Sequence, residues 1–180
     1  NRMEKVHPRN RLIKLIDPSD ESWHIHKAYM LHAYRVAAAS DDPSTQVGAV
    51  IVTDQGVVAQ AYNRPIKIAD TSGLSKYDYT EHAERNVLFE CISKNISPVG
   101  CSMYANWAAC CDCARAIVEC GVSHVYTHLQ IYSKYRGEYK ESTEKGLAIL
   151  VNSGVNVTML NGGISNGRIT IRTSGQEWQP

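Results

Sequence analysis

Apolar positions along the chain follow two rhythms, one of helices and one of strands. From Glu21 to Ala39, Trp23, Met30, Tyr34 and Ala37 recur at helical spacing, and Asp17-Pro18-Ser19-Asp20 punctuates the entry. After the turn Asp41-Asp42-Pro43, the run Val47 to Thr53 is β-branched and apolar. Asp54-Gln55-Gly56 then turns the chain and Val57 to Tyr62 returns, which predicts a hairpin. Pro65 to Thr80 is polar and irregular. Beyond it the spacing predicts a helix over Glu81 to Lys94, a strand over Cys101 to Asn106 and a helix over Cys110 to Cys120. A strand over Ser123 to Thr127, a helix from Tyr139 to Ser153 ended by Gly154, and a last core strand over Val155 to Leu160 complete the pattern. The expected fold class is α/β, a three-layer α/β/α arrangement around a central mixed five-stranded sheet.

No repeat and no linker rich in Pro, Gly and Ser divides the chain, so one domain is expected over 21–160. Residues 1–20 read as an N-terminal extension, and 161–180 as a C-terminal tail with an extra strand over Arg168 to Arg172. At 180 residues, 43% hydrophobic and 21% charged, the chain fits one compact core. No stretch approaches the roughly 18 apolar residues of a membrane span, and Asn1 to Leu15 has no apolar run of the secretory kind; a cytoplasmic location is expected. A net charge of +1 argues against a protein built mainly to hold polymeric nucleic acid, and a small ligand fits better. Arg2, Lys5, Arg9, Arg11 and Lys14 form a local basic cluster, read as a solvated end.

The chemistry concentrates in two short motifs. In a reducing compartment the cluster Cys110-Cys111-Asp112-Cys113 reads as metal or redox chemistry, while Cys91, Cys101 and Cys120 sit in apolar patterns as core residues. Cys110 and Cys113 open a predicted helix, where the positive end of the helix dipole favours thiolates. The pair alone is ambiguous between half a structural zinc site, a redox pair and chance. His82-Ala83-Glu84, at the opening of the preceding helix, is the best candidate to complete the coordination. Three protein ligands leave a fourth position open, and water bound at such a position ionises near pH ~7 instead of ~15.7. Glu84, two residues beyond His82, is placed to act as acid and base on that water. The alternative is a closed structural site with Cys111 as fourth ligand, which gives Glu84 no purpose. His7, His24, His26, His32, His124 and His128 lack partners at ligand spacing and read as surface or packing residues.

H-x-E followed by P-C-x-x-C is the pattern of the zinc deaminases. The chain resembles the cytidine and deoxycytidylate deaminase superfamily, most closely its deoxycytidylate (dCMP) deaminase branch, over about Trp23 to Leu160. The resemblance rests on Asp42-Pro43-Ser44-Thr45-Gln46-Val47-Gly48-Ala49, on His82-Ala83-Glu84-Arg85-Asn86-Val87, on Cys101-Ser102-Met103-Tyr104 and on Tyr132 after the fourth strand. It implies a cytidine-deaminase-like fold and one catalytic Zn2+ on His82, Cys110 and Cys113, with Glu84 as proton shuttle. It further implies that Asn63 contacts the sugar, the backbone amide of Ala83 the pyrimidine carbonyl oxygen and the backbone carbonyl of Ala108 the leaving amine, with Tyr132 lining the nucleotide pocket. Arg64, Lys67 and Arg115 are candidates to receive a monophosphate, and Arg64 ranks first because it follows Asn63. A small-molecule nucleotide substrate, a homo-oligomer and dCTP and dTTP as effectors are the implied partners.

Some positions depart from the pattern. Asn63-Arg64-Pro65-Ile66 replaces N-G-x-P and looks more like the N-R-P-I of bacterial tRNA adenosine deaminases. Ala109 stands where proline precedes the first cysteine, which removes a rigid helix start but no ligand. Trp107 resembles a tryptophan of polynucleotide cytidine deaminases and reads equally as packing. Ile66 to Thr80 holds neither cysteine nor histidine, so a second zinc is not expected. The leading expectation is hydrolytic conversion of dCMP to dUMP with ammonia release. Its rivals are a tRNA adenosine deaminase, a free nucleoside or nucleobase deaminase and, in another class, a catalytically inactive zinc module that binds nucleotides.

Overall fold

The computed structural model describes residues 13–135 and 137–180. Its main sheet is built from β1 (Lys14–Ile16), β2 (Gly48–Thr53), β3 (Gly56–Tyr62), β6 (Ser102–Ala105), β7 (His124–His128) and β8 (Asn156–Leu160), in the order β1-β8-β7-β6-β2-β3. Between β3 and β6 lie the short pieces β4 (Arg64–Pro65), α2 (Lys76–Tyr79) and β5 (Thr80–Glu81). The helices are α1 (Trp23–Ala37), α3 (Ala83–Ser93), α4 (Cys111–Glu119), α5 (Leu129–Tyr132) and α6 (Gly137–Asn152), and β9 (Ile171–Thr173) with β10 (Gln176–Trp178) ends the chain.

The connections dictate the directions. β2 and β3 are joined by a tight turn, with Gly56 at φ +91°, and are therefore antiparallel. β6, β7 and β8 are linked through α4 and α6 and run parallel, as crossover connections require. β2 pairs antiparallel with β6 and joins the two halves into a mixed sheet. On one face α1 lies directly against β2. Gly48 permits this, since a Cβ there would come within 2.2 Å of the Ala33 carbonyl oxygen. The other face carries α3, α4 and α6, which completes the expected three layers.

The sheet has six strands and not the five that the pattern predicts. The additional strand, β1, pairs in parallel with β8, Lys14 opposite Thr158 and Ile16 opposite Leu160. It buries only Ile16, and three residues on a sheet edge are too few to leave a period-two signal. Lys14 of the basic cluster therefore belongs to the sheet, while Arg2, Lys5, Arg9 and Arg11 lie outside the described residues. In the tail, the strand expected over Arg168 to Arg172 sits at Ile171–Thr173 and is half of a hairpin. Ser174 (φ +51°) and Gly175 (φ +77°) form its two-residue turn. Trp178 anchors the hairpin, its ring 5.9 Å from that of Tyr34 and 5.7 Å from that of His128. None of the described helices is long and apolar enough to cross a membrane.

Candidate metal centre and cavity

Two helix starts face each other beyond the C-terminal end of β6. His82 is the N-cap of α3 and Cys110 the N-cap of α4, both in extended backbone. Their carbonyls accept the first helical hydrogen bonds, from Asn86 N–H and Ala114 N–H, each at 2.9 Å. The side chains are thereby free to project across the gap. Cys113, in the first turn of α4, joins them: the Nδ1 of His82 lies 3.6 Å from Cys110 Sγ and 3.5 Å from Cys113 Sγ. All three donor atoms fall within 4.8 Å of one another. Cys111 does not take part, since its thiol donates to the Ser142 carbonyl on α6 at 3.4 Å.

The donor set suits zinc, which takes thiolate and imidazole nitrogen. The thiol of Cys110 is drawn down to about 4, first by its hydrogen bond with Cys113 and then by His82, against the cost of burial. The Cys113 thiol is pushed up by the same bond, which favours its keeping its proton, and by burial. A divalent cation would take that proton's place. His82 is shifted upward, chiefly by its bond to Cys110. Glu84 is 2% exposed and burial raises it to about 7, while its Oε1 has no hydrogen-bond partner among the described residues. An orphaned, fully buried carboxylate oxygen beside three metal donors is the feature a bound water or substrate would satisfy.

Two neighbouring side chains, of Glu81 and Arg85, brace the cluster. Glu81 Oε1 accepts the N–H of His82 at 2.9 Å and the Nε–H of Arg85 at 2.6 Å. Arg85 in turn points Nη1 at Cys113 Sγ, 3.6 Å away. The signal for this pair was present in the i, i+4 spacing of Glu81 and Arg85 across His82, where it reads as an ordinary helix-surface ion pair.

A cavity of about 640 Å³ opens over the cluster, within the range of small-ligand sites. His82, Glu84, Cys110 and Asn63 line it with Ala83, and all of these but His82 are buried. Trp107, Tyr135 and Tyr139 supply an aromatic wall, with Trp107 stacked on Tyr135 at 4.4 Å and edge-on to Tyr139 at 5.1 Å. Trp107 is 4% exposed and its Nε1 has no partner among the described residues. It is at once a packing residue and a cavity residue. Lys76 and the exposed Tyr77 also line it, Lys76 held by Asp42 at 3.0 Å.

Other expected contacts lie outside the lining. Ala108 is buried and its N–H donates to the Tyr135 hydroxyl at 2.6 Å. Tyr132 is half-buried and packs edge-on against Tyr135, ring centroids 5.1 Å apart. Arg64, on β4, is exposed and its guanidinium donates to the Pro65 carbonyl at 3.5 Å. Lys67 is exposed, and Arg115 pairs with Asp112. Neither Arg64 nor Lys67 nor Arg115 is among the lining residues. Tyr135, Tyr139, Lys76 and Ser174 line the cavity without having been singled out by the sequence pattern.

Fold and site define an α/β/α protein in which three side chains able to hold a metal ion and a buried carboxylate line one cavity. Residues 23–129, more than half of the chain, match the cytidine and deoxycytidylate deaminase zinc-binding region, and the chain belongs to that family. It is 36% identical over 110 residues to deoxycytidylate deaminase of Mus musculus, covering 54% of this chain and 60% of the mouse protein. It thus spans about three fifths of the length of that relative. An uncharacterized deaminase of the luxG 3′ region of Aliivibrio fischeri is 31% identical over 140 residues, covering 74% of this chain and 92% of the other. Among solved structures, dCMP deaminase of the cyanophage S-TIM5 in complex with dCMP and dUMP superposes with a TM-score of 0.63. It is 25% identical, and the match covers 76% of this chain and 96% of the phage protein.

Proposed function

We propose that the chain is a zinc-dependent hydrolytic deaminase that converts dCMP to dUMP and ammonia. The observation that carries this reading is the partnerless, buried Oε1 of Glu84 beside the converging atoms of His82, Cys110 and Cys113, all on one cavity. The choice of substrate is supported by the relatives named as deoxycytidylate deaminases and by the size of the cavity.

His82, Cys110 and Cys113 would hold the zinc, which when bound supplies Lewis-acid activation of water at neutral pH. The chain's own groups do the rest. Glu84 takes one proton of the attacking water and delivers it to the adjacent ring nitrogen as the C–O bond forms at the amine-bearing carbon, then takes the proton of that new hydroxyl and passes it to the amine, which leaves as ammonia when the C–N bond breaks. The backbone amide of Ala83, on the cavity lining, holds the pyrimidine carbonyl oxygen, and the Trp107 and Tyr135 rings offer flat surface to the base. Asn63 has spent one N–H on the Thr45 carbonyl and one lone pair on the Val47 amide. Its second N–H and second lone pair are available to a sugar hydroxyl.

The test is ammonia release by the zinc-loaded protein against dCMP, CMP, deoxycytidine, adenosine and a tRNA anticodon stem, each beside Glu84→Gln. Turnover of dCMP that falls by at least about 10³-fold in the variant is expected. Activity confined to adenosine in the tRNA stem would replace the substrate, and silence throughout would leave a zinc module that only binds nucleotides.

A further inference from the structure

The C-terminal hairpin lies beyond residue 129, where the family match ends, yet it is built into the cavity wall. Arg172 and Gln46 are joined twice: the Gln46 N–H donates to the Arg172 carbonyl at 2.9 Å, and the Arg172 N–H donates to Gln46 Oε1 at 2.8 Å. The Gly175 N–H donates to the Ser44 carbonyl at 2.9 Å and the Ser174 N–H to Thr45 Oγ1 at 3.2 Å. The Arg172 Nε–H closes the set on the Asp42 carbonyl at 3.0 Å. Every residue from Asp42 to Gln46 except Pro43 is thus held by the hairpin.

That loop is a cavity wall, since Asp42, Ser44 and Thr45 all line the site and so does Ser174. The Asp42 carboxylate caps the Ser44 and Thr45 amides at 2.8 and 2.9 Å and also binds Lys76. Lys76 is the only lysine or arginine among the described lining residues, and Asp42 already neutralises it. An anionic end of a ligand would therefore depend on neutral donors beside that ammonium; the hairpin and the loop it holds bring the hydroxyls of Ser44, Thr45 and Ser174 to a lining that also carries those of Tyr77, Thr80 and Ser142. Ser174 sits at φ +51°, a backbone position that glycine or asparagine fills more readily.

Resting on the nucleotide reading above, we propose that the hairpin is part of the substrate site. Arg172 is a positioning residue for the loop from Asp42 to Thr45. Ser174 is a specificity residue that donates its hydroxyl to the 5′-phosphate of the nucleotide, next to Lys76. The base end of the same ligand reaches the part of the cavity lined by His82, Glu84 and Cys110.

Three variants of the full zinc-loaded chain test this on dCMP and on deoxycytidine, which lacks the phosphate. Ser174→Gly removes the hydroxyl while relieving the positive φ. It is expected to raise KM for dCMP roughly tenfold, with kcat within about twofold and deoxycytidine kinetics unchanged. Ser174→Asn, which tolerates the same backbone and keeps a donor, recovers at least half of that loss. Arg172→Ala lowers kcat/KM for both substrates and speeds hydrogen exchange at the Ser44 and Thr45 amides. An unchanged dCMP KM in Ser174→Gly, or equal losses on dCMP and deoxycytidine, overturns the proposal while leaving the deaminase reading intact. Wild-type protein that turns over neither compound overturns both.

Discussion

Asn63 and Asn106 grip alternate residues of one four-residue segment, Thr45 to Gly48, from opposite sides. Asn63 follows β3 and Asn106 follows β6, the two strands that flank β2. The Asn63 side chain accepts the Val47 N–H at 2.8 Å and donates to the Thr45 carbonyl at 2.9 Å. Asn106 accepts the Gly48 N–H at 2.9 Å and donates to the Gln46 carbonyl at 3.3 Å. The two amides continue the sheet ladder past its end and straighten the segment that carries the cavity wall.

Replacing Asn63 by Ala leaves a buried N–H without an acceptor, and such a loss costs about 1–3 kcal/mol. Asn63→Ala is expected to lower the urea midpoint with an unchanged slope, reporting a loss in that range. A change under about 0.5 kcal/mol would mean that water takes over the Val47 amide and that Asn63 serves the ligand alone.

Gly146 on α6 is a second packing device under the metal site. A Cβ there would sit 2.1 Å from the Ala109 carbonyl oxygen and 2.9 Å from the Cys110 carbonyl carbon. Both are backbone atoms, so no side chain can swing aside. This close contact fixes the helix entry at which Ala109 replaces the expected proline. Gly146→Ala is expected to displace Cys110 and weaken zinc binding at least tenfold in a chelator competition, with Tm lowered by several degrees. Zinc affinity equal to the wild type would show that α6 yields instead.

These two positions mark the limit of what the sequence makes legible. His82-x-Glu84 and Cys110-x-x-Cys113 are recognisable because each motif is local: the helix start alone determines where its side chains point. Strands β2, β3, β6, β7 and β8 and the four long helices carry periodicities long enough to read. β1 and β10 have three residues each, and their place is decided by partners far along the chain. Tyr139, Lys76 and Ser174 reach the cavity through tertiary packing, so no spacing announces them. Arg64 shows the converse, since adjacency to Asn63 does not carry its side chain to the cavity, because consecutive extended residues point to opposite sides.

Metal removal separates the ligand set from its neighbour in sequence. The protein is expected to bind one zinc per chain by atomic absorption, to lose activity and melt at lower temperature after chelation, and to recover both on adding zinc. Cys113→Ser should abolish the stoichiometric zinc, whereas Cys111→Ser should keep it, because the Cys111 thiol faces Ser142. Loss of zinc in both variants would establish a closed four-ligand site and remove the position at which hydrolysis needs water.

The buried pair Tyr34 and His128 makes stability depend on pH away from the active site. The Tyr34 hydroxyl lies 2.6 Å from His128 Nδ1, and His128 Nε2 donates to the Gly162 carbonyl at 2.8 Å, so the ring is neutral with its proton on Nε2. Burial holds His128 at about 4, below its ordinary 6.5. Between those values the unfolded chain binds the proton that the folded one refuses. The stability contributed by the neutral ring is therefore complete above pH ~6.5 and is lost as pH falls toward ~4, on the order of 3 kcal/mol in all. His124 is depressed similarly but is only half-buried, so the useful quantity is a difference between proteins. Urea unfolding of wild type and His128→Gln at pH 7.5, 6.5 and 5.5 should show a variant less stable throughout but flatter with pH. Parallel curves would mean that His128 takes up its proton without unfolding the tail, and that the Trp178 anchor tolerates a charge beneath it.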